Sequence, residues 1–125
     1  MKFLLDTHTL LWAVSDEKKL SAEARKCIGY SANLVFVSLV SLWELRLKES
    51  LKKIKLPTDF YKSLMPAGYE ILPLTLAHIE TFGYLPLYHR DPFDRMLVAQ
   101  AQVEQLILVT RDSELEKYEI NLLKA

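Results

Sequence analysis

One cysteine, three glycines and five prolines in 125 residues leave few of the features that mark irregular or cross-linked chains. Cys27 has no partner within the chain, which excludes an internal disulfide and points to a reducing, cytoplasmic setting. With that one cysteine and the histidines His8, His78 and His89, no zinc-type spacing is available. The scarcity of glycine and proline rules out collagen-like and low-complexity chains. Neither charge is in excess: 16 Lys+Arg balance 16 Asp+Glu, so affinity for a polyanion must come from local patches. Long apolar runs are absent too. Asp6 interrupts Met1-Lys2-Phe3-Leu4-Leu5 well short of a signal-peptide core. The stretch from Leu34 to Trp43 contains Ser38 and Ser41 and is about half a membrane span. No membrane association is expected.

What is present is a 50% hydrophobic share on a chain long enough for one core, so residues 1–125 read as one domain. Phe3-Leu4-Leu5, Leu34-Val35-Phe36-Val37 and Leu106-Ile107-Leu108-Val109 are short apolar strand candidates. Glu70 to Leu74, with Pro73, and Ile120-Asn121-Leu122 suit edge strands. Helical spacing links Leu10, Leu11 and Val14. Ser21 is placed to cap a helix through Ala24 and Ile28, and Thr75 one through Ile79 towards Gly83. A further helix carries Leu42, Leu45 and Leu51 and stops before Pro57, with the basic stretch 46–55 inside it. Asp59 to Met65 suggests a short helix. Asp91-Pro92 opens another, with Phe93, Met96, Leu97 and Ala101 as its apolar stripe. Strands alternating with helices predict an α/β fold, a doubly wound parallel sheet.

In such sheets ligands sit beyond the carboxyl ends of the strands. Asp6 follows the first strand, Glu44 lies on the helix after the second, Asp94 on the helix feeding the 106–109 strand, and Asp112 just beyond that strand. Converged, these oxygens suit a hard divalent cation, magnesium or manganese. A plainer reading stands beside it. Ser41-Leu42-Trp43-Glu44 and Ser113-Glu114-Leu115-Glu116, which follows Asp112, have capping-box form, Asp6 could cap the first helix, and Asp91-Pro92-Phe93-Asp94 combines a cap with an acid that favours the helix dipole.

The segment Leu4-Leu5-Asp6-Thr7-His8-Thr9-Leu10-Leu11-Trp12 resembles the opening of PIN domains, especially the VapC-type toxin branch. Ser38-Leu39-Val40-Ser41-Leu42-Trp43-Glu44-Leu45 resembles that branch's second acidic motif. The run from His89 to Ala101, His-Arg-Asp-Pro-Phe-Asp-Arg-Met-Leu-Val-Ala-Gln-Ala, resembles the third, and Leu108-Val109-Thr110-Arg111-Asp112 the fourth. The ordered set spans Met1 to about Asn121. The resemblance implies a three-layer α/β/α fold with a central parallel sheet in the order 3-2-1-4-5. It implies Asp6, Glu44, Asp94 and Asp112 as catalytic ligands of Mg2+ or Mn2+, and RNA as substrate. A homodimer and a cognate antitoxin are implied as partners. Asp94 rather than Asp91 is aligned with the third motif, leaving Asp91 as a cap or outer residue.

Arg90, Arg95 and Arg111, each beside a matched acid, are candidate phosphate contacts, as are the cations from Arg46 to Lys55. His8 and His89 also adjoin matched acids, and the plainer reading makes them surface or supporting residues. His78 reads as a helix-surface residue. Trp12 and Trp43 could stack on bases but, beside leucines at helical spacing, read as core or interface. Three rival readings carry tests in the sequence. A phosphatase-like hydrolase using Asp6 as nucleophile would want an acid at position 8, where His8 stands. A receiver-type domain would want adjacent acids near the first strand. A non-catalytic RNA-binding module of the same fold would not need all four acids.

Overall fold

The computed structural model describes residues 1–125. Five strands, β1 (Lys2–Leu5), β2 (Leu34–Ser38), β3 (Glu70–Leu72), β4 (Ile107–Thr110) and β5 (Leu122–Lys124), form one sheet. Its order is β3-β2-β1-β4-β5 and every pairing is parallel. The helices are α1 (Thr7–Ser15), α2 (Ala22–Gly29), α3 (Leu39–Ser50), α4 (Phe60–Ser63), α5 (Leu76–Tyr84) and α6 (Pro92–Glu104).

The period-two alternation of a strand explains why both sheet faces are apolar. Phe3 and Leu5 point to one face with Val35, Val37 and Val109, where they meet Leu10 of α1, Ala24 of α2 and Phe60 of α4. Leu4 and Leu108 point to the other, against Leu97, Val98 and Ala101 of α6. Helix α3 sits at the sheet's carboxyl end and gives Leu45 to the first cluster and Val40 to the second. Most caps are where the residue types place them. Ser21 accepts from Ala24 N, Asp91 from Phe93 N, and Thr75 pairs reciprocally with His78.

Several local expectations are corrected. The cap of α3 is Ser38, which accepts from Val40 N, so Ser41-Leu42-Trp43-Glu44 is no capping box. Ser41 lies inside the helix with its buried hydroxyl unpartnered. That helix also ends earlier, at Ser50. Lys52 adopts φ 57°, and the Lys52 and Lys53 amides donate back to Glu49 and Lys48 carbonyls, a Schellman-type stop. Lys52, Lys53 and Lys55 therefore lie beyond the helix. Strand β5 starts two residues later than Ile120, because Leu122 to Lys124 is the stretch in register with Leu108 to Thr110. His78 is fully buried rather than a surface residue. Its Nδ1 accepts from Thr75 N, and Nε2 reaches Glu104 at 2.7 Å across the α5–α6 contact.

Candidate active site

Because all five strands run the same way, everything that follows them emerges at one end of the sheet. Asp6 leaves β1, Ser38 leads β2 into α3 and Glu44, and Thr110 leads β4 into Asp112. Helix α6 precedes β4 and runs back along the sheet, so its first turn, with Asp94, starts at that same end.

Each acid is held by a specific neighbour. Asp6 is buried: Oδ1 accepts from Thr9 N at 2.8 Å as the cap of α1, and Oδ2 accepts from Thr110 Oγ1 at 2.6 Å. Glu44 Oε1 accepts from Thr7 Oγ1 at 2.7 Å, and Oε2 lies 3.1 Å from Lys48 Nζ. Asp112 Oδ1 accepts from Glu114 N, and Oδ2 lies 2.7 Å from His89 Nε2. Asp112 N in turn donates to Thr110 Oγ1 at 3.1 Å, so one threonine hydroxyl ties Asp6 to Asp112. Capping and clustering coexist at Asp6 and Asp112, since each carboxylate spends one oxygen on a backbone amide and turns the other to a side chain.

The tightest group is His89, Asp94 and Asp112, whose potential ligand atoms all lie within 4.8 Å of one another. His89 Nε2 is also 3.5 Å from Asp94 Oδ2. The Asp91 amide donates to His89 Nδ1, which makes Nε2 the protonated nitrogen and a donor to Asp112. His89 in that form orients carboxylates and leaves cation binding to them. Asp6 and Glu44 stand outside the tight group but within electrostatic reach of Asp94. Burial first, then Asp91 and Asp6, raise the Asp94 carboxyl to about 7. Glu44 adds to the rise and His89 opposes it. Such a set of crowded oxygens fits a hard divalent cation, which would supply the missing positive charge.

The arginines divide. Arg90 is exposed and lines an open groove of about 490 Å³ with Glu44, Leu47, Lys48, Leu51, Asp91, Pro92 and Phe93. Arg95 is turned to α5, donating to Leu85 O and lying over the Phe82 ring. Arg111 donates to Ala125 O and Lys19 O and lies over Trp12. His8 is exposed beside Trp12 and has no contact with the acids. Trp43 is not core: it is 60% exposed, its ring meeting only Phe93 among aromatics. Thr7 and Thr110 were not singled out from the sequence, although each stands in a quoted motif directly beside a strand end. The threonine after Asp6 and the threonine two before Asp112 were the available signal.

A family model described as PIN domain matches residues 3–121. No curated protein matches the sequence significantly. Among solved structures, a chain of DNA-bound VapBC2 from Rickettsia felis superposes with TM-score 0.75 at 17% identity, covering 98% of each chain. A chain of DNA-bound VapBC from Salmonella typhimurium gives 0.72 at 20%, covering 98% of this chain and 97% of that one. A toxin–antitoxin complex from Klebsiella pneumoniae gives 0.63 at 18%, covering 98% and 96%. At these identities the likeness is one of fold.

Proposed function

The chain belongs to the PIN-domain family, and from that premise we propose that it is a divalent-metal-dependent endoribonuclease acting as the toxin of a toxin–antitoxin pair. The observation that carries this reading is the crowding of carboxylates around Asp94, strong enough to lift its carboxyl to about 7. Asp6, Glu44, Asp94 and Asp112 would hold Mg2+ or Mn2+. When bound, the cation acidifies water and offsets charge on the phosphodiester oxygens. Asp94 must release its proton to join the set, so it links cation binding to pH. His89 keeps Asp112 oriented, Thr110 keeps Asp6 and Asp112 in step, and Lys48 balances Glu44. Arg90, free at the groove rim, is the phosphate contact; the Arg95 and Arg111 guanidinium groups are engaged elsewhere.

The structural neighbours include toxin–antitoxin complexes, which supports a protein antitoxin as partner; that the toxin itself is a homodimer in the cytoplasm is a further part of the proposal. The direct test is purified protein on short single-stranded RNA, with Mg2+, with Mn2+ and with EDTA. Cleavage is expected only with cation, and Asp6→Asn, Glu44→Gln, Asp94→Asn and Asp112→Asn should each abolish it. RNA binding without cleavage under any cation would leave a non-catalytic module of the same fold. Growth arrest on expression, relieved by co-expressing the adjacent gene's product, tests the toxin role.

A further inference from the structure

Trp43 is a large aromatic left in solvent directly before Glu44, one of the buried acids of the site. Its ring packs against Phe93, the residue before Asp94, with centroids 5.4 Å apart and planes at 67°. The two residues preceding two of the acids thus form one aromatic pair. Phe93 is a wall of the groove that also contains Glu44, Asp91, Lys48 and Arg90, so through Phe93 the pair borders that groove and one of the four acids, Glu44. An edge-to-face contact of this kind orients both rings. Trp43 belongs to neither buried cluster and stands at helical spacing with the exposed Leu39, Leu47 and Leu51, as the one aromatic among them.

We infer that Trp43, braced by Phe93, is a stacking platform for one unpaired nucleobase flanking the scissile phosphate. The inference rests on the endoribonuclease reading above and adds which residue holds the substrate's base. Three observations select single-stranded RNA as the occupant. Through Phe93 the platform borders the groove that Glu44 lines. Arg90 stands exposed in the same groove to meet a neighbouring phosphate. Lys48 lines the same groove, paired with Glu44, and Lys52, Lys53 and Lys55 follow beyond the end of α3, whereas Arg46 is held by Glu49 and Tyr61. Stacking on an aromatic face with cations alongside is how single strands are held without base-pair readout. The scissile nucleotide would then be positioned at both ends, its phosphate at the carboxylates and its base on Trp43.

The experiment measures binding of a fluorescein-labelled single-stranded RNA of about eight nucleotides by anisotropy, to the full chain and to Trp43→Ala and Trp43→Phe, with cleavage assayed in parallel. The same RNA is also made with an abasic residue at each position in turn. Expected is a loss of about tenfold in affinity for Trp43→Ala, with most of it restored in Trp43→Phe. One abasic position should cost the unaltered chain a similar factor, and on that RNA Trp43→Ala should cost nothing further. Independent, multiplying penalties would overturn the platform, as would Trp43→Ala binding intact RNA normally while metal-dependent cleavage persists. That last result would leave the nuclease reading standing. No RNA binding and no cleavage by the unaltered chain would remove both. If Trp43→Ala instead weakened only the complex with the co-expressed antitoxin, the aromatic pair would belong to a protein interface and the inference would fail.

Discussion

Burial and the charges of Asp91, Asp6 and Glu44 lift the Asp94 carboxyl from 3.8 to about 7, and the sign of that shift decides how stability responds to pH. Below about pH 4 the group is protonated in folded and unfolded chains alike and contributes nothing. Between about 4 and 7 the unfolded chain ionises while the folded one holds its proton, so stability falls. Above 7 the penalty is complete, on the order of a few kcal/mol for the metal-free protein. Asp94→Asn should therefore match the unaltered chain near pH 4 and exceed it at pH 8 in urea unfolding, while losing cleavage. Loss of stability at both pH values would instead mark Asp94 as a helix-start residue. Mg2+ or Mn2+ should raise the melting temperature of the unaltered chain, and EDTA should reverse it, with neither affecting Asp94→Asn. Calorimetry in buffers of different ionisation enthalpy should show proton release on metal binding below pH 7, fading above it.

Strand β4 does more than pair with its neighbours. Its last residue, Thr110, is buried and its hydroxyl serves Asp6 and the Asp112 amide together. Thr110→Val keeps the β-branched shape that suits the strand but removes both bonds. It should cost about 1–3 kcal/mol and weaken metal binding by about tenfold, read by denaturation and by metal titration. Unchanged metal affinity would detach this threonine from the site. Helices α3, α5 and α6 are joined by a second buried network. Ser38 Oγ donates to Gln100 Oε1 at 2.6 Å, Gln100 Nε2 reaches His78 Nδ1 at 3.3 Å, and His78 reaches Glu104. Gln100→Leu would leave the buried Ser38 hydroxyl proton without its acceptor, while Ser38 Oγ keeps Val40 N and His78 Nδ1 keeps Thr75 N, and a stability loss of about 1–3 kcal/mol is the expected result by chemical denaturation.

For the whole molecule, zero net charge means little long-range field, so on the proposed ribonuclease reading two paired subunits are expected to bring basic edges together. A self-complementary two-fold interface is the commonest arrangement. The segment from Leu74 to Tyr88 exposes Leu74, Leu76, Ile79, Tyr84, Leu87 and Tyr88, enough apolar surface to supply one. Light scattering should give twice the 14.5 kDa chain mass at micromolar concentration. A monomer at high micromolar concentration with full activity would exclude a dimer requirement.

The sequence by itself determined the alternation of strands and helices, the caps at Asp6, Ser21, Thr75 and Asp91, and the placing of four acids after or beside strand ends. These are local properties: hydrophobic period, cap chemistry and turn residues act within about four positions. Which faces are covered is a matter of elements far apart in the chain, and there the tertiary structure decided. His78 is buried because α6 brings Glu104 and Gln100 to it, and Trp43 stays 60% exposed although Phe93 of α6 lies against its ring. His89 became the link between Asp94 and Asp112 because the Asp91 amide fixes its tautomer and β4 delivers Asp112 from 23 residues away. Thr110 reaches Asp6 across 104 residues of chain. No periodicity reports such a contact, since it exists only once β1 and β4 lie side by side.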